Sequence, residues 1–166
     1  SSCRGLRGPS GDPGGTAYAR LARPPSPTRR PVHFATLLQR VVALEPRMPI
    51  TITPGPDVML RADPDQLEQL LINILRNAVD AALETGGSVT AGWCTENHHL
   101  AVWIDDEGPG LQNTGNLFVP FFTTKPGGSG IGLVLSRQIA EGHGGTLTLA
   151  NREGARGTRA MLRLPL

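Results

Sequence analysis

The sequence predicts an α/β fold, a two-layer sandwich in which a mixed sheet carries helices on one face. Three observations carry that prediction. A long stretch after Asp63 keeps apolar residues at helical spacing, several short stretches alternate with a strand's period of two, and glycine pairs punctuate the passages between them. The chain has 166 residues, of which 39% are hydrophobic and 18% charged, which suits one packed core and excludes disorder along the whole length.

Residues 1–31 hold six prolines and five glycines without an apolar period, and read as a disordered or non-native tail. They contain no apolar run of the kind a secretory signal needs. The tail carries six arginines against one acid, whereas the ten basic and thirteen acidic residues of 32–166 leave a net −3. The basic pI of about 8.9 therefore belongs to the tail and gives the folded part no nucleic-acid signature. An RNA-binding arginine tail is the alternative, although only Tyr18 interleaves an aromatic ring with the arginines. The chain starts at Ser1 and its first methionine is Met48, so it reads as a piece of a longer protein. No apolar run approaches the roughly 20 residues of a membrane span. Two cysteines, Cys3 and Cys94, make neither a disulfide framework nor a multi-cysteine metal site, and the expected location is cytoplasmic.

From Val32 onward the pattern is regular. Residues 34–44 read as a short helix stopped by Pro46. Residues 48–53 and 58–61 alternate as strands, with Pro54-Gly55-Pro56 as the turn between them. Asp63-Pro64-Asp65-Gln66 supplies an N-cap, a proline at the first helical position and a glutamine at the third. The helix that follows is predicted to run to about Leu83, with Leu67, Leu70, Leu71, Ile74, Leu75, Ala78 and Ala82 on its apolar face and Gly86-Gly87 at its end. Residues 88–94 and 100–105 form a predicted hairpin. A glycine-rich loop precedes a helix over about 130–141, and two strands, 146–150 and 158–164, close the domain. There are no internal repeats.

Four groups of residues carry potential chemistry. On the long helix, Asn73, Asn77 and Asp80 fall at i, i+4 and i+7, on one stripe bordering the apolar face. Taken alone, the two amides are equally readable as solvated side chains. Asp105-Asp106-Glu107-Gly108-Pro109-Gly110 follows a strand; a carboxylate there can accept from an amino group while glycine lets the backbone come close, although an ordinary acidic turn has the same composition. Gly127-Gly128-Ser129-Gly130-Ile131-Gly132-Leu133 opens a helix with bare peptide N–H groups, a phosphate site or simply a hinge. It lacks the Walker signature. Between these lies Leu117-Phe118-Val119-Pro120-Phe121-Phe122-Thr123-Thr124-Lys125, whose rings can anchor a loop base. Lys125, the only lysine, stands beside the glycines and can pair with a terminal phosphate.

In this order, NILRNAVDAA (73–82), DDEGPG (105–110), LFVPFFTTK (117–125) and GGSGIGL (127–133) resemble the ATP-binding catalytic domain of sensor histidine kinases. That domain belongs to the superfamily that also holds gyrase, the Hsp90 chaperones and MutL. The resemblance covers roughly 32–166 and looks most like the nitrogen-regulation type with a short ATP lid. It implies a Bergerat-type fold, with ATP and Mg²⁺ as ligands. By resemblance, Asn77 is the asparagine that holds Mg²⁺ and Asn73 the preceding position of the same box. Asp106 is the adenine-reading aspartate with Gly108 and Gly110 beneath the base, and Thr158 supports it from a late strand. Gly128, Gly130 and Gly132, with Ile131 and Leu133 between and after them, surround the triphosphate. Thr124 and Lys125 belong to the lid end, Lys125 toward the γ-phosphate.

Gyrase-like relatives typically have glutamate where this chain has Asn73. An amide cannot activate water, so the site suits phosphoryl donation to a protein acceptor, with a gyrase- or Hsp90-like ATPase as an alternative. Asp80 departs from the lysine or arginine many kinases have there. None of His33, His98, His99 and His143 is followed by an acid, as an acceptor histidine normally is, and all four read as surface residues. The phosphoacceptor dimerisation hairpin is thus expected outside this chain, which would be inactive alone or an inert nucleotide-binding module. A response-regulator receiver domain is the further partner implied; nucleic acid and membrane are not.

Overall fold

The computed structural model describes residues 23–111 and 131–166, and of Ile131 the backbone alone. The elements run β1 (Arg30–His33), α1 (Phe34–Ala43), β2 (Ile50–Ile52), β3 (Met59–Ala62), α2 (Pro64–Thr85), β4 (Val89–Glu96), β5 (His99–Asp106), α3 (Ile131–Gly142), β6 (Thr146–Asn151) and β7 (Thr158–Pro165). Five strands make a mixed sheet in the order β2-β4-β5-β7-β6, in which only β2 and β4 are parallel. The α/β sandwich expected from the pattern is present, with a second, two-stranded sheet of β1 and β3 beside it.

That small sheet corrects one expectation. The two strands flanking Pro54-Gly55-Pro56 do not pair with each other: β2 lies along β4, and β3 along β1. The reason is Trp93 on β4. Its indole N–H donates to the Pro56 carbonyl at 2.7 Å, and a Cβ on Gly55 would lie 2.8 Å from the indole. The connection is therefore bound across the sheet edge and cannot close as a hairpin. β1 begins at Arg30, before the apolar pattern does; strand pairing is made by backbone, and Pro31 is tolerated because this pair has open edges.

α2 is closed at both ends as its sequence dictates. Asp63 Oδ1 accepts from the N–H groups of Asp65 at 3.0 Å and Gln66 at 3.2 Å. Gly86 ends the helix at φ +68°, where a Cβ would be strained. A second constraint fixes the start. The Asp63 N–H donates to His143 Nε2 at 3.0 Å, and His143 Nδ1 lies 2.8 Å from the Ile139 carbonyl. Nε2 accepts, so Nδ1 carries the proton and donates to Ile139. His143, expected on the surface, is 3% exposed and joins the end of α3 to the start of α2. A glycine turn carries no apolar period, so composition gave no sign of this burial.

The core lies between the helices and the inner face of the sheet. Leu70 and Leu71 of α2, Leu38 of α1, and Leu100 and Leu162 of β5 and β7 are fully buried there. Phe34 meets Trp93 edge-on, with ring centroids 5.5 Å apart. Phe34→Ala is expected to cost about 3–5 kcal/mol, read as a lowered urea midpoint with loss of the near-UV circular dichroism of Trp93. The β4–β5 hairpin turns through Asn97 and His98, both at positive φ (51° and 61°), as a type I′ turn requires. Glycine takes the second position without strain, so His98→Gly is expected to stabilise by about 0.5–1 kcal/mol, measurable as a higher thermal midpoint.

Candidate functional site

Alternation along β5 separates two adjacent carboxylates. Val102, Ile104 and Asp106 share one parity and face the helices; Asp105 faces the other way. On that outer face Asp105 is matched with its cross-strand neighbour Arg159, whose Nε and Nη2 donate to it at 2.7 and 2.8 Å. Asp105 is thus consumed by a structural pair, and Asp106 alone enters the space beside α2.

Asp106 is 5% exposed. Its Oδ1 accepts from the backbone N–H of Gly108 at 2.9 Å and of Thr158 at 3.3 Å. Oδ2 accepts from none of the described residues, and is the oxygen open to an outside donor. Burial pushes the carboxyl above its ordinary range, against the two N–H bonds and the nearby charge of Arg152. Thr158 meets Asp106 through its backbone N–H.

Glycine lets three backbones come together around this carboxylate. A Cβ on Gly108 would lie 2.6 Å from the Ala81 Cβ, so only glycine allows the turn to touch α2. At Gly157, with φ +114°, a Cβ would lie 1.8 Å from the Asp106 carbonyl oxygen. Gly110, at φ +86°, sits beside Asn151, whose Oδ1 accepts from the Leu111 N–H at 2.6 Å. Glu107 closes the turn from outside: its carboxylate accepts from Ser88 N–H at 2.8 Å and Ser88 Oγ at 2.6 Å, which holds it below the usual range.

The other end of the site is where α3 begins. A Cβ on Gly132 would lie 3.9 Å from Asn73 Cγ. The bare start of α3 therefore lies against the Asn73 amide. Asn73, Asn77 and Asp80 are all half-buried on the flank of α2 that continues to Ala81 and Gly108. Asp106, Gly108, Asn73 and Gly132 are thus strung along one side of one helix. Leu133 follows on α3, half-buried. Thr124, Lys125, Gly128 and Gly130, together with the Phe-rich loop, lie outside the described residues, as does the side chain of Ile131.

Sequence reasoning missed Ala81, Asn151, Gly157 and Arg152. Gly157 stood beside the selected Thr158, and a glycine before a strand that faces a carboxylate was a usable signal. Ala81 carries no chemistry of its own, and Asn151, whose amide bonds the Leu111 backbone, is brought near only by the fold.

A helix flank facing a carboxylate turn on one side and a bare helix start on the other is the layout of a nucleotide-binding α/β domain. The chain belongs to the family described as histidine kinase-, DNA gyrase B-, and HSP90-like ATPase, which matches residues 62–166. Among similar proteins is the sensor histidine kinase ZraS of Escherichia coli O157:H7, 39% identical over 108 residues, 64% of this chain and 23% of that protein. The chain thus spans about a quarter of that relative's length. Among solved structures, the mycobacterial sensor histidine kinase MprB superposes with a TM-score of 0.74 at 26% identity, covering 83% of this chain and 97% of that one. Full-length ShkA in complex with AMPPNP gives 0.74 at 26%, covering 89% and 33%. Among the described residues, no helix is long and apolar enough to cross a membrane.

The raised carboxyl of Asp106 makes a signed prediction. Between the ordinary carboxylate pKa and the raised one, the folded state holds a proton that the unfolded state has released. This group's contribution is therefore best at low pH and is lost as pH rises through that window. Asp106→Asn removes the penalty. Its stability relative to the parent chain is expected to climb from about pH 4 upward, measured by urea unfolding of both proteins across pH.

Proposed function

We propose that the chain from β1, at Arg30, onward forms the ATP-binding catalytic domain of a two-component sensor histidine kinase. The observation that carries this reading is the buried Asp106 carboxylate with one oxygen open, on the same α2 flank as Asn73 and the bare start of α3. The residues fit a purine nucleotide. Asp106 Oδ2 can accept from an exocyclic amine, with Gly108 and Gly110 leaving room beneath the base. The backbone at Gly132, joined by Gly128 and Gly130, can meet phosphate oxygens. The complex of ShkA with AMPPNP supports a nucleotide in this fold.

Asn77, one turn from Asn73, offers an amide oxygen to a hard cation. Mg²⁺ bound there with the phosphates would spread the charge of the transferring group. The chain's own residues bind and orient: Asp106 fixes the base, the glycine backbones and Lys125 hold the triphosphate, and Asn73, an amide, does not itself act as a base toward water. The nucleophile is a histidine nitrogen on a phosphoacceptor hairpin outside this chain. It takes the γ-phosphoryl group, ADP leaves, and a response-regulator receiver domain accepts the phosphoryl group next. The names of the similar proteins, sensor histidine kinases, support a histidine as the acceptor.

The test is calorimetric titration with a non-hydrolysable ATP analogue and Mg²⁺, followed by addition of a dimerisation hairpin and labelled ATP. Binding is expected to weaken by at least about ten-fold in Asp106→Asn, through loss of a charged hydrogen bond, and to lose its Mg²⁺ dependence in Asn77→Ala. Label is expected to move to the hairpin. Binding without transfer would leave the inert-module reading standing, and robust phosphate release without a hairpin would restore the ATPase.

A further inference from the structure

We propose that His143 is a positioning residue for the phosphate end of the site, acting by fixing how far α3 slides along α2. The inference rests on the nucleotide reading above, which uses the start of α3 and gives its end no role. Two contacts between the helices lie at opposite ends of α3. At the start, a Cβ on Gly132 would lie 3.9 Å from Asn73 Cγ. At the end, the buried His143 accepts at Nε2 from the Asp63 N–H at 3.0 Å. The helices are therefore antiparallel, the end of α3 against the start of α2. Eleven positions separate Gly132 from His143, and ten separate Asp63 from Asn73. At about 1.5 Å per residue these spans are nearly equal, so the bond at one end decides which α2 residue meets Gly132 at the other. A slip of one turn, about 5.4 Å, would carry the bare N–H groups off Asn73.

Both partners of the bond are held rigidly. Asp63 is the N-cap of α2, and its carboxylate accepts from the N–H groups of Asp65, Gln66 and Thr28 at 3.0, 3.2 and 3.0 Å. His143 follows the last turn of α3. Its own N–H reaches the Ile139 and Ala140 carbonyls at 3.2 and 3.1 Å, and Nδ1 donates to Ile139 at 2.8 Å. Gly145 then presses the turn on β7, where a Cβ would collide with the Arg163 carbonyl. The bond also takes over a local function. In a capping box the third helical residue accepts from the N-cap N–H, and Gln66 holds that place in α2. Gln66 Nε2 donates to the Pro25 carbonyl at 2.7 Å, and an acceptor for the Asp63 N–H comes from α3. A capping bond has become a register bond between helices.

The experiment titrates the 166-residue chain and three variants with the ATP analogue plus Mg²⁺ and with adenosine, after urea unfolding has established that each is folded. His143→Gln keeps an acceptor at the position of Nε2. His143→Asn keeps an amide near Nδ1 that stops short of Asp63, and His143→Phe keeps the ring's volume with neither nitrogen. The latter two are expected to bind the analogue about ten-fold more weakly, through phosphate bonds lost at Gly132, with adenosine within about two-fold of the parent chain. His143→Gln is expected to match the parent for both ligands. A purely structural role would weaken both ligands equally and would not be rescued by glutamine; either result overturns the proposal, as does parental affinity for the analogue in His143→Phe. A second measurement needs no variant. Because coupling is reciprocal, saturating analogue is expected to slow hydrogen exchange at the Asp63 amide of the parent chain about ten-fold more than adenosine does, and equal rates overturn the proposal. If the parent chain binds the analogue no more tightly than adenosine, the phosphate end is misassigned and the inference falls with it. If it binds neither, the nucleotide reading itself fails.

Discussion

The contact between the Asp106–Gly110 turn and the flank of α2 is the constraint on which the site depends. Strand parity puts Asp106 on the helix side, and Gly108 lets the turn reach Ala81 without a Cβ in the way. Gly157 then brings the start of β7 against the Asp106 carbonyl, which places the Thr158 N–H on the carboxylate. Each contact is short-range, but each needs the sheet order β4-β5-β7 already in place. The site is therefore a product of tertiary assembly, although most of its residues sit in compact motifs.

Asp106 illustrates how such a site differs from the core around it. A neighbouring carboxylate, Asp105, meets its charge with a bidentate arginine across the strand pair. Among the described residues, Asp106 meets its charge with two backbone N–H groups on one oxygen and the nearby charge of Arg152. The second arrangement is poorer for stability, because a buried acceptor without a full set of donors costs free energy. It is better for recognition, since one oxygen of a largely buried carboxylate stays open to an arriving amine. Asp106 and Asp105 differ in this respect because one residue along a strand reverses the face, not because their intrinsic chemistry differs.

Local signals made much of this legible. Asp63, Pro64 and Gln66 marked the start of α2, and Gly86 its end, because capping is written in the residues that do it. The hairpin of β4 and β5 followed from two-residue alternation on both sides of Asn97 and His98. The failures have one common cause. The partner of β2, the pairing of β1 with β3, and the burial of His143 are all decided by contacts between segments distant in sequence. Trp93 decides the first of these through Pro56 and Gly55, and no periodicity within residues 48–61 encodes that. Likewise, Asn73 and Gly132 each carried a local signal, whereas their adjacency depends on how α3 packs on α2.

On the proposed kinase reading, the choice of Asn73 over a carboxylate would bear on which acceptor the γ-phosphoryl group reaches. Phosphoryl transfer needs alignment and charge neutralisation more than it needs a base, because little proton removal has occurred in a loose transition state. Water, however, becomes a competent nucleophile chiefly where a side chain orients it and takes its proton. A half-buried amide against the bare start of α3 supplies hydrogen bonds without that basicity. An imidazole nitrogen brought by a second protein arrives with its lone pair ready and asks nothing of this helix. On the kinase reading proposed above, Asn73 would leave hydrolysis unassisted and transfer to a histidine unimpaired, because only hydrolysis needs a base at that position.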